Sequence, residues 1–557
     1  MNHFSSLQRN EIYEAMEQET LDVLVIGGGI TGAGIALDAT TRGLSTGVVE
    51  MQDYAAGTSS RSTKLVHGGL RYLKQFEVAM VAEVGKERDI VYQNGPHVTT
   101  PEWMLLPFHK GGNFGPFSTN LGLRVYDFLA GVKKEERRKM LSSTETMKRE
   151  PLLKQEDLRG SGYYVEYRTD DARLTLEVMK KAVQKGAHSI NYAKVVDFIY
   201  QNNKIVGVEV EDQLNGSRHT IYAKKIVNAG GPWVDTLREK DGSKKGKTLQ
   251  LTKGIHLVFD QQTFPLQQAI YFDTPDGRMV FAIPRDGKAY VGTTDTVYEG
   301  DISHPTMTED DRDYVLKAIK YMFPSLNITA QDVESSWAGL RPLIHEEGKD
   351  PSEISRKDEI FESDSGLISI AGGKLTGYRK MAENVIDLVT TQLKDINGKE
   401  YPGSQTKELP MAGGEVGGAK GFKQFKKRKV EECVAFGLSE QKASSLLQLY
   451  GANIDKVMDI YNNRQDEAKA ANLDPLVFAM LTYAIEEENT VKPVDFFIRR
   501  TGALFFDIHW VHLHKEPVIQ HMAKQLHYSQ EQTEAYTHQL NQLLEEAVTP
   551  TPTPEYV

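Results

Sequence analysis

Three glycines near the N-terminus have the spacing of a nucleotide-binding turn. Gly27, Gly29 and Gly32 form the pattern G-x-G-x-x-G between an apolar run, LDVLVI, and an apolar helical stretch. In such a turn the first glycine permits the tight bend, the second lets a pyrophosphate approach, and the third lets the helix pack on the strand. The helix N-terminus then faces the phosphates with the positive end of its dipole. The pattern predicts a dinucleotide site.

An acidic residue follows where a second strand ends. Glu50 closes the run VVE, at the distance where a carboxylate accepts hydrogen bonds from adenosine ribose hydroxyls and disfavours a 2′-phosphate. The motif by itself does not separate FAD from NAD.

A second glycine turn lies far along the chain. Residues 366–389, GLISIAGGKLTGYRKMAENVIDLV, again read as strand, glycine turn and helix. Gly372 and Gly373 before a helix leave backbone N–H groups free to face a flavin ring. We expect this segment to return to the first domain. An NAD-dependent dehydrogenase would leave it unexplained.

Composition restricts the class of protein. The chain has 557 residues, which is more than one hydrophobic core normally supports, and its 39% hydrophobic and 26% charged residues are typical of a globular protein. A net charge of -11 argues against a nucleic-acid partner. The one cysteine, Cys433, excludes a disulfide framework, a cysteine-ligated iron–sulfur cluster and a multi-cysteine zinc site, and no metal site is predicted.

The sequence also gives an expectation for the cellular location of the protein. The first twenty residues are acidic and lack an apolar core, which is the wrong chemistry for a secretory signal, so we expect a cytoplasmic protein. The longest uncharged stretch, Val23 to Leu37, is shorter than the roughly 20 residues of a membrane-spanning helix.

Further blocks follow Glu50 in a specific order. They are GTSSRSTKLVHGGLRYL at 57–73, NAGGPWVD at 228–235, KGIHLVF at 253–259, GTTDT at 292–296, AGLRPL at 338–343 and AGGKLTGYRKMAE at 371–383. Together they resemble the FAD-dependent glycerol-3-phosphate dehydrogenases from about Leu21 to about Leu388. The helical segment beyond resembles that family's C-terminal domain more loosely.

The resemblance implies the architecture. We expect an α/β fold, α+β overall, with a discontinuous Rossmann-like FAD-binding domain, an inserted mixed-sheet substrate domain and a C-terminal helical domain. The expected FAD-binding segments are 19–75, 161–236 and 341–395. The expected substrate-binding sheet is 237–340, and the helical domain is 405–550. Residues 76–160, which alternate helical patches with loops such as PFHKGGNFGPF, are interpreted as an insertion or cap.

The resemblance also implies which residues contact FAD. These are Gly27, Gly28, Gly29, Gly32, Glu50, Thr58, Ser59, Lys64, Leu65, Val195, Val196, Gly373, Lys374, Leu375 and Thr376.

The implied substrate, glycerol 3-phosphate, is a small dianion with a secondary alcohol, and it needs several cations and one base. The family places Arg71, Arg341, Arg356, Lys374 and His256 around it. Arginine suits phosphate because its planar fork donates two parallel hydrogen bonds.

Three of these residues are expected to be catalytic: His256, Arg341 and Lys374. His256 is the candidate base, although a lone histidine between apolar neighbours fits a core position equally well. Lys374 would lie beside the flavin, where its positive charge stabilises the anionic reduced ring. The alternative is that it is a solvated lysine at the start of a helix. Arg356, in an SRKDE run, would be read as surface charge without the resemblance.

Several readings of the electron acceptor and partners stay open. The respiratory members of the family pass electrons to a membrane quinone, whereas a glycerophosphate oxidase passes them to oxygen. The oxidases tend to be longer because they carry an added surface insertion. No obvious insertion lies between GTTDT and AGLRPL, which favours the dehydrogenase. A flavin-binding protein without catalysis would be expected to lack the charged substrate positions. The oligomeric state is open, with a homodimer as one alternative.

A quinone acceptor favours attachment to the cytoplasmic face of the plasma membrane. The stretch from Met104 to Lys139 combines an apolar stripe with a basic cluster, the pattern of an interfacial helix that binds an anionic membrane surface. The stripe is Leu121, Val125, Phe128 and Leu129, the cluster is Lys133, Lys134, Arg137, Arg138 and Lys139, and Phe108, Phe114 and Phe117 precede them. A core helix ending in solvated charge is the alternative. A competing patch spans Lys420 to Lys429 with Phe422 and Phe425.

Overall fold

The computed structural model describes residues 3–67, 78–112, 115–129, 136–346 and 357–553. Its strands are β1 (Leu21–Ile26), β2 (Thr46–Val49), β3 (Leu65–Val66), β4 (Thr99–His109), β5 (Lys139–Leu141), β6 (Leu158–Thr169), β7 (His188–Ile190), β8 (Ala193–Gln201), β9 (Lys204–Asp212), β10 (Arg218–Asn228), β11 (Lys247–Asp260), β12 (Ala269–Asp273), β13 (Met279–Arg285), β14 (Lys288–Gly292), β15 (Thr296–Val297), β16 (Ser335–Glu346), β17 (Glu359–Glu362) and β18 (Leu367–Ala371).

The helices are α1 (Arg9–Gln18), α2 (Ile30–Thr41), α3 (Val78–Asn94), α4 (Pro116–Leu129), α5 (Ser143–Arg149), α6 (Asp171–Gln184), α7 (Val234–Lys240), α8 (Glu309–Met322), α9 (Tyr378–Asn397), α10 (Gly418–Ala435), α11 (Glu440–Tyr450), α12 (Ile454–Asn463), α13 (Gln465–Ala470), α14 (Pro475–Glu487), α15 (Ala503–Phe506), α16 (Ile508–Gln525) and α17 (Gln530–Val548). A π-helical turn, Asp495–Arg500, lies between α14 and α15.

The first sheet carries the dinucleotide motif. Its order is β17-β18-β10-β1-β2-β7, and all neighbours run parallel except β17. Helices α2, α6 and α9 pack on one face, and α1 with the β8–β9 hairpin covers the other. A parallel strand covered on both faces must be apolar along its length, which explains the continuous run LDVLVI.

The second sheet is mixed. Its order is β15-β11-β14-β13-β12-β4-β6-β3, β16 pairs with β11, and the β12–β4 pair is parallel. Alternate residues of β11 point to opposite faces. Ile255, Leu257 and Phe259 pack against α8, whereas Val258 faces the core shared with the C-terminal helices. Helices α10–α17 form the C-terminal domain on that second face.

The predicted fold class is confirmed. The N-terminal Rossmann unit, the return of the chain to the first sheet at β18, the mixed second sheet and the C-terminal helical domain are all present. The expected boundaries at 160/161, 236/237 and 340/341 fall inside β6, α7 and β16.

One detail of the expected cap is wrong. Residues 99–109 form β4, a long strand of the second sheet, and Phe108 is buried in the core instead of lying in a surface loop. Its run TTPEWMLLPFH contains two prolines, which argued against a strand. Pairing with β6 along its length overrides that signal.

No helix in the described part of the chain is long and apolar enough to cross a membrane.

Candidate active site

A cavity of about 500 Å³ opens at the carboxyl ends of β1 and β2, where doubly wound sheets bind their ligands. Its wall includes Gly27, Gly29, Ile30, Glu50, Thr58, Ser59, Ala193, Lys194, Val195, Ala229, Trp233, Pro342, Gly372, Gly373, Lys374 and Leu375. The first and second glycine turns predicted from the sequence therefore line the same cavity.

The glycines of the first turn are required by their geometry. Gly27 has φ of +118°, and a Cβ added there would come within 2.5 Å of the Ala229 carbonyl oxygen. A Cβ at Gly32 would collide with the Gly27 carbonyl oxygen, which shows how closely α2 approaches the turn. A Cβ at Gly28 would lie 2.7 Å from the Tyr54 ring. Only glycine fits at these positions.

Glu50 lies against the same turn. Its Oε2 accepts a hydrogen bond from the Gly28 amide at 2.6 Å, and Oε1 accepts one from the Gln52 amide at 2.7 Å. Burial raises the pKa of this carboxyl above its usual range, although the two amides oppose that effect. A carboxylate has further lone pairs, so Glu50 can also accept from a bound ribose.

The segment after Glu50 contributes two hydroxyls. Ser59 Oγ accepts a hydrogen bond from the Ile30 amide at 3.0 Å and so satisfies a free donor in the first turn of α2. Thr58 Oγ1 donates to the Leu340 carbonyl at 2.7 Å, which joins this segment to β16.

Three further predicted FAD contacts, Lys64, Leu65 and Val196, are not among the residues that line the cavity. Lys64 is buried, and its Nζ donates to Asp171 at 2.6 Å and to the Ser60 carbonyl at 2.9 Å. Leu65 is buried in β3, and of the hairpin pair Val195 lines the cavity while Val196 does not.

The second glycine turn also lines the cavity. Gly372 and Gly373 have φ of +76° and +80°, and added Cβ atoms would collide with the Lys357 carbonyl and with Met381 Sδ, respectively. Thr376 Oγ1 donates to the His67 carbonyl at 3.1 Å. This hydrogen bond joins the segment that includes Lys374 and Leu375 to the block at 57–73, which contains His67.

His256 lies on β11 of the second sheet, and its hydrogen-bond partner Thr63 follows Ser62, which lines this cavity. Its ring is buried and stacks on Trp337, its cross-strand partner, with centroids 4.7 Å apart. Nε2 shares a hydrogen bond with Thr63 Oγ1 at 3.1 Å, and Nδ1 has no hydrogen-bond partner among the described residues. Burial lowers the pKa of His256 well below 6.5, and the charges of Arg341 and Lys64 lower it further.

Arg341 is on the same face of the sheet as His256. It precedes Pro342 of the cavity wall and pairs with Thr252 in the β11–β16 ladder. Its guanidinium donates to Thr293 Oγ1 at 2.8 Å, to the Thr294 carbonyl at 3.2 Å and to Asp295 at 3.3 Å.

A pair of glycines separates these two residues. Gly254 and Gly339 face each other in the ladder, between the Thr252–Arg341 and His256–Trp337 pairs. A Cβ at Gly254 would collide with the Arg341 guanidinium, and one at Gly339 would collide with the Arg61 carbonyl. Alternate residues of a strand share a face, so this glycine pair lies between the histidine and the arginine on the side where both project.

The structure therefore brings together His256 and Arg341, with Lys64 close enough to affect the histidine, while Lys374 lies on the cavity wall. Arg71 and Arg356 fall in 68–77 and 347–356, outside the described residues. Among the described residues, no cluster that could hold a metal ion is found.

Sequence reasoning missed several supporting residues. Thr63, Trp337 and the Gly254–Gly339 pair place His256 and Arg341, yet none of the four was predicted to do so, although Thr63, Gly254 and Gly339 lie within the quoted blocks. The glycine in KGIH was the one available signal, because a glycine within a strand often marks a close approach.

Comparison with known proteins agrees with this geometry. Residues 22–379 match the model of the FAD dependent oxidoreductase family, and residues 404–533 match the C-terminal domain of alpha-glycerophosphate oxidase. The aerobic glycerol-3-phosphate dehydrogenase of Bacillus subtilis is 64% identical over 551 residues, covering 99% of each chain. That of Staphylococcus haemolyticus is 56% identical over 545 residues, covering 98% of each.

The chain belongs to the family of FAD-dependent glycerol-3-phosphate dehydrogenases.

Solved structures share this fold. The glycerol-3-phosphate dehydrogenase from Bacillus halodurans, complexed with FAD, superposes with a TM-score of 0.86 at 51% identity, covering 99% of this chain and 100% of the other. The L-alpha-glycerophosphate oxidase from Mycoplasma pneumoniae shares the fold, with a TM-score of 0.55 at 20% identity over 71% of this chain and 99% of the other.

FAD is the cofactor of this family, and the cavity residues fit it. Gly27 and Gly29 of the first turn line the cavity, where a pyrophosphate can approach the backbone, Glu50 offers acceptors for a ribose, and Gly372 and Gly373 present further backbone to the same cavity. The roles of single residues remain the predictions made from the sequence.

Proposed function

We propose that this protein oxidises glycerol 3-phosphate to dihydroxyacetone phosphate and passes the electrons to a membrane quinone. The observation that carries the proposal is similarity along the whole chain to aerobic glycerol-3-phosphate dehydrogenases, at 64% identity for the Bacillus subtilis protein. Bound FAD supplies the hydride acceptor in this chemistry.

His256 is the proposed base for the C2 hydroxyl proton. Its low pKa keeps the ring neutral near pH 7, so it can accept a proton, and Nδ1 has no hydrogen-bond partner among the described residues. A bound phosphate dianion adds negative charge near the ring and raises its pKa, which favours proton uptake once the substrate is in place. The stack on Trp337 holds the ring orientation.

Arg341 is the proposed phosphate ligand. Its acceptors include a hydroxyl, a carbonyl and the partly exposed Asp295 at 3.3 Å, and a phosphate dianion can accept two parallel hydrogen bonds from the planar guanidinium. Arg71 and Arg356 are proposed as the further phosphate cations, and Lys374 as the cation beside the flavin. A non-catalytic flavoprotein would be expected to lack these charged positions, whereas His256, Arg341 and Lys374 are all present.

The proposed acceptor is a quinone and not oxygen. Support comes from the dehydrogenase of Bacillus halodurans, which matches 99% of the chain at 51% identity, whereas the oxidase of Mycoplasma pneumoniae matches 71% at 20%. Oxygen is the alternative acceptor, because residues 404–533 match the C-terminal domain of alpha-glycerophosphate oxidase.

Stopped-flow reoxidation separates the two acceptors. The flavin is reduced anaerobically with glycerol 3-phosphate and then mixed with either a short-chain quinone or oxygenated buffer. We expect reoxidation by the quinone to be much faster. Faster reoxidation by oxygen, with release of peroxide, would show the oxidase instead.

We further propose that the protein docks on the cytoplasmic face of the plasma membrane through helix α4 and the basic cluster after it. Phe117 and Leu121, one turn apart on α4, have exposures of 84% and 56%, and Arg137 and Lys139 are exposed. In the competing patch Phe422 is buried, which favours α4. Phe114, Lys133, Lys134 and the side chains of Phe128 and Leu129 lie outside the described residues.

A further inference from the structure

The C-terminal domain reaches into the segment that follows Glu50. Arg500, in the π-helical turn between α14 and α15, donates from Nη1 and Nη2 to the two carboxylate oxygens of Asp53, at 2.6 and 2.9 Å. The neighbouring Arg499 donates from Nε to the same carboxylate. Asn191 adds a further hydrogen bond to Asp53 at 2.9 Å.

These charges are fully enclosed. Asp53 and Arg500 have no exposed surface, and Arg499 is buried as well. Burial alone would raise the pKa of Asp53, but the charges of Arg500 and Arg499 outweigh it and hold the pKa at about 2. Buried ion pairs are weak evidence for stability, because desolvation offsets their attraction, whereas removing one partner leaves a costly unpaired charge. Here they join the C-terminal domain to the segment that follows Glu50.

The residues next to Asp53 contact the first glycine turn directly. The Tyr54 ring lies against Gly28, and the Ala55 amide donates to the Gly28 carbonyl at 3.1 Å. The Tyr54 hydroxyl accepts from Asn489, a residue of the C-terminal domain, at 3.3 Å. Gly28 in turn donates its amide to Glu50. A short chain of contacts thus runs from Arg500 through Asp53 and Tyr54 to the turn at the cofactor cavity.

We propose that Arg499 and Arg500 are positioning residues for the cofactor site, so that the C-terminal domain sets the affinity for FAD by holding residues 50–56 against the glycine turn. The proposal rests on FAD binding and is independent of the substrate and the electron acceptor. It assigns a task to a domain whose sequence carries no recognisable site.

The dissociation constant for FAD tests this proposal. Holoenzyme is diluted stepwise, and released FAD is measured by its fluorescence. We expect Arg500→Met and Asp53→Asn each to raise the dissociation constant about tenfold, the size expected when a residue acts through a coupled contact. Because both variants break the same link, the double variant should be no worse than the weaker-binding single variant.

A matched control separates positioning from general destabilisation. Lys180, on α6, is buried at the same domain contact and pairs with Glu488 at 2.8 Å. Its other partners are Glu177 and Tyr483, so none of these hydrogen bonds is with residues 50–56, whereas Arg500 binds Asp53 as well as the Glu488 carbonyl. Lys180→Met should lower the melting temperature as Arg500→Met does, yet leave the dissociation constant for FAD within twofold of the wild-type value.

The conservative variant Arg500→Lys covers the case in which Arg500→Met fails to fold. Lysine keeps the charge but loses the two-pronged hydrogen bond. Partial weakening of FAD binding is expected, at a value between wild type and Asp53→Asn. Unchanged FAD affinity in folded Arg500→Lys and Asp53→Asn would overturn the proposal. An equal rise in Lys180→Met would also overturn it.

Discussion

The imidazole of His256 and the indole of Trp337 stack at a centroid distance of 4.7 Å with an interplanar angle of 12°. They are cross-strand partners of β11 and β16, so the pairing of two strands more than 70 residues apart sets the ring plane. The hydrogen bond between Nε2 and the Thr63 hydroxyl restricts rotation of the ring within that plane. The indole and the hydroxyl together therefore hold the orientation of the imidazole. Such placement suits a base that must meet a small substrate.

Replacing His256 tests its proposed role. His256→Gln should slow flavin reduction by glycerol 3-phosphate about a hundredfold or more, because a general base is removed. Substrate affinity should change little, since an amide of similar size stays in place. Single-turnover stopped-flow measurements over a range of substrate concentrations give both values. A normal reduction rate would make His256 a core residue.

Arg341 should be required for the substrate and dispensable for FAD. Arg341→Ala removes a charge-assisted hydrogen bond whose loss costs about 1.5 to 3 kcal/mol, and should lower kcat/KM accordingly. Arg341→Lys should recover only part of it, because lysine lacks the planar fork. Flavin content is the control. Loss of flavin with normal substrate affinity would place Arg341 at the cofactor.

Gly254 offers a test that leaves both proposed active-site side chains intact. Gly254→Ala places a methyl group where the Arg341 guanidinium lies, so the arginine must move. We expect kcat/KM to fall toward the value for Arg341→Ala. The matched control is Gly403→Ala, since Gly403 is exposed and a Cβ there meets nothing within 4 Å. Wild-type kinetics in Gly254→Ala would show that the position of Arg341 is unimportant.

These cases show what the sequence can and cannot reveal. Gly27, Gly32 and Gly372 were predictable because backbone conformation and close approach restrict those positions locally. The stack of His256 on Trp337 and the pairing of Gly254 with Gly339 both depend on the register between β11 and β16. These strands are far apart in the chain, so no local pattern encodes their register. The same holds for Asp53 with Arg500, which lie 447 residues apart in the chain. For β4, its prolines obscured a strand that long-range pairing stabilises.

Membrane docking through α4 predicts dependence on both charge and apolar surface. Replacing the five basic residues at 133–139 with glutamine should release the protein from anionic liposomes, since each contributes roughly 1 kcal/mol near such a surface at low salt. Phe117→Ser with Leu121→Ser should weaken binding as well, because both side chains are exposed. Activity with a soluble electron acceptor serves as the folding control. Equal loss from replacing Lys420, Lys423, Lys427 and Arg428 instead would point to α10.

The visible spectrum of the purified protein tests the central claim most directly. The protein should be yellow, and anaerobic glycerol 3-phosphate should bleach its flavin band without any requirement for NAD. Bleaching should be accompanied by formation of dihydroxyacetone phosphate, one per flavin reduced. A yellow protein whose flavin band is unchanged by glycerol 3-phosphate would contradict the account.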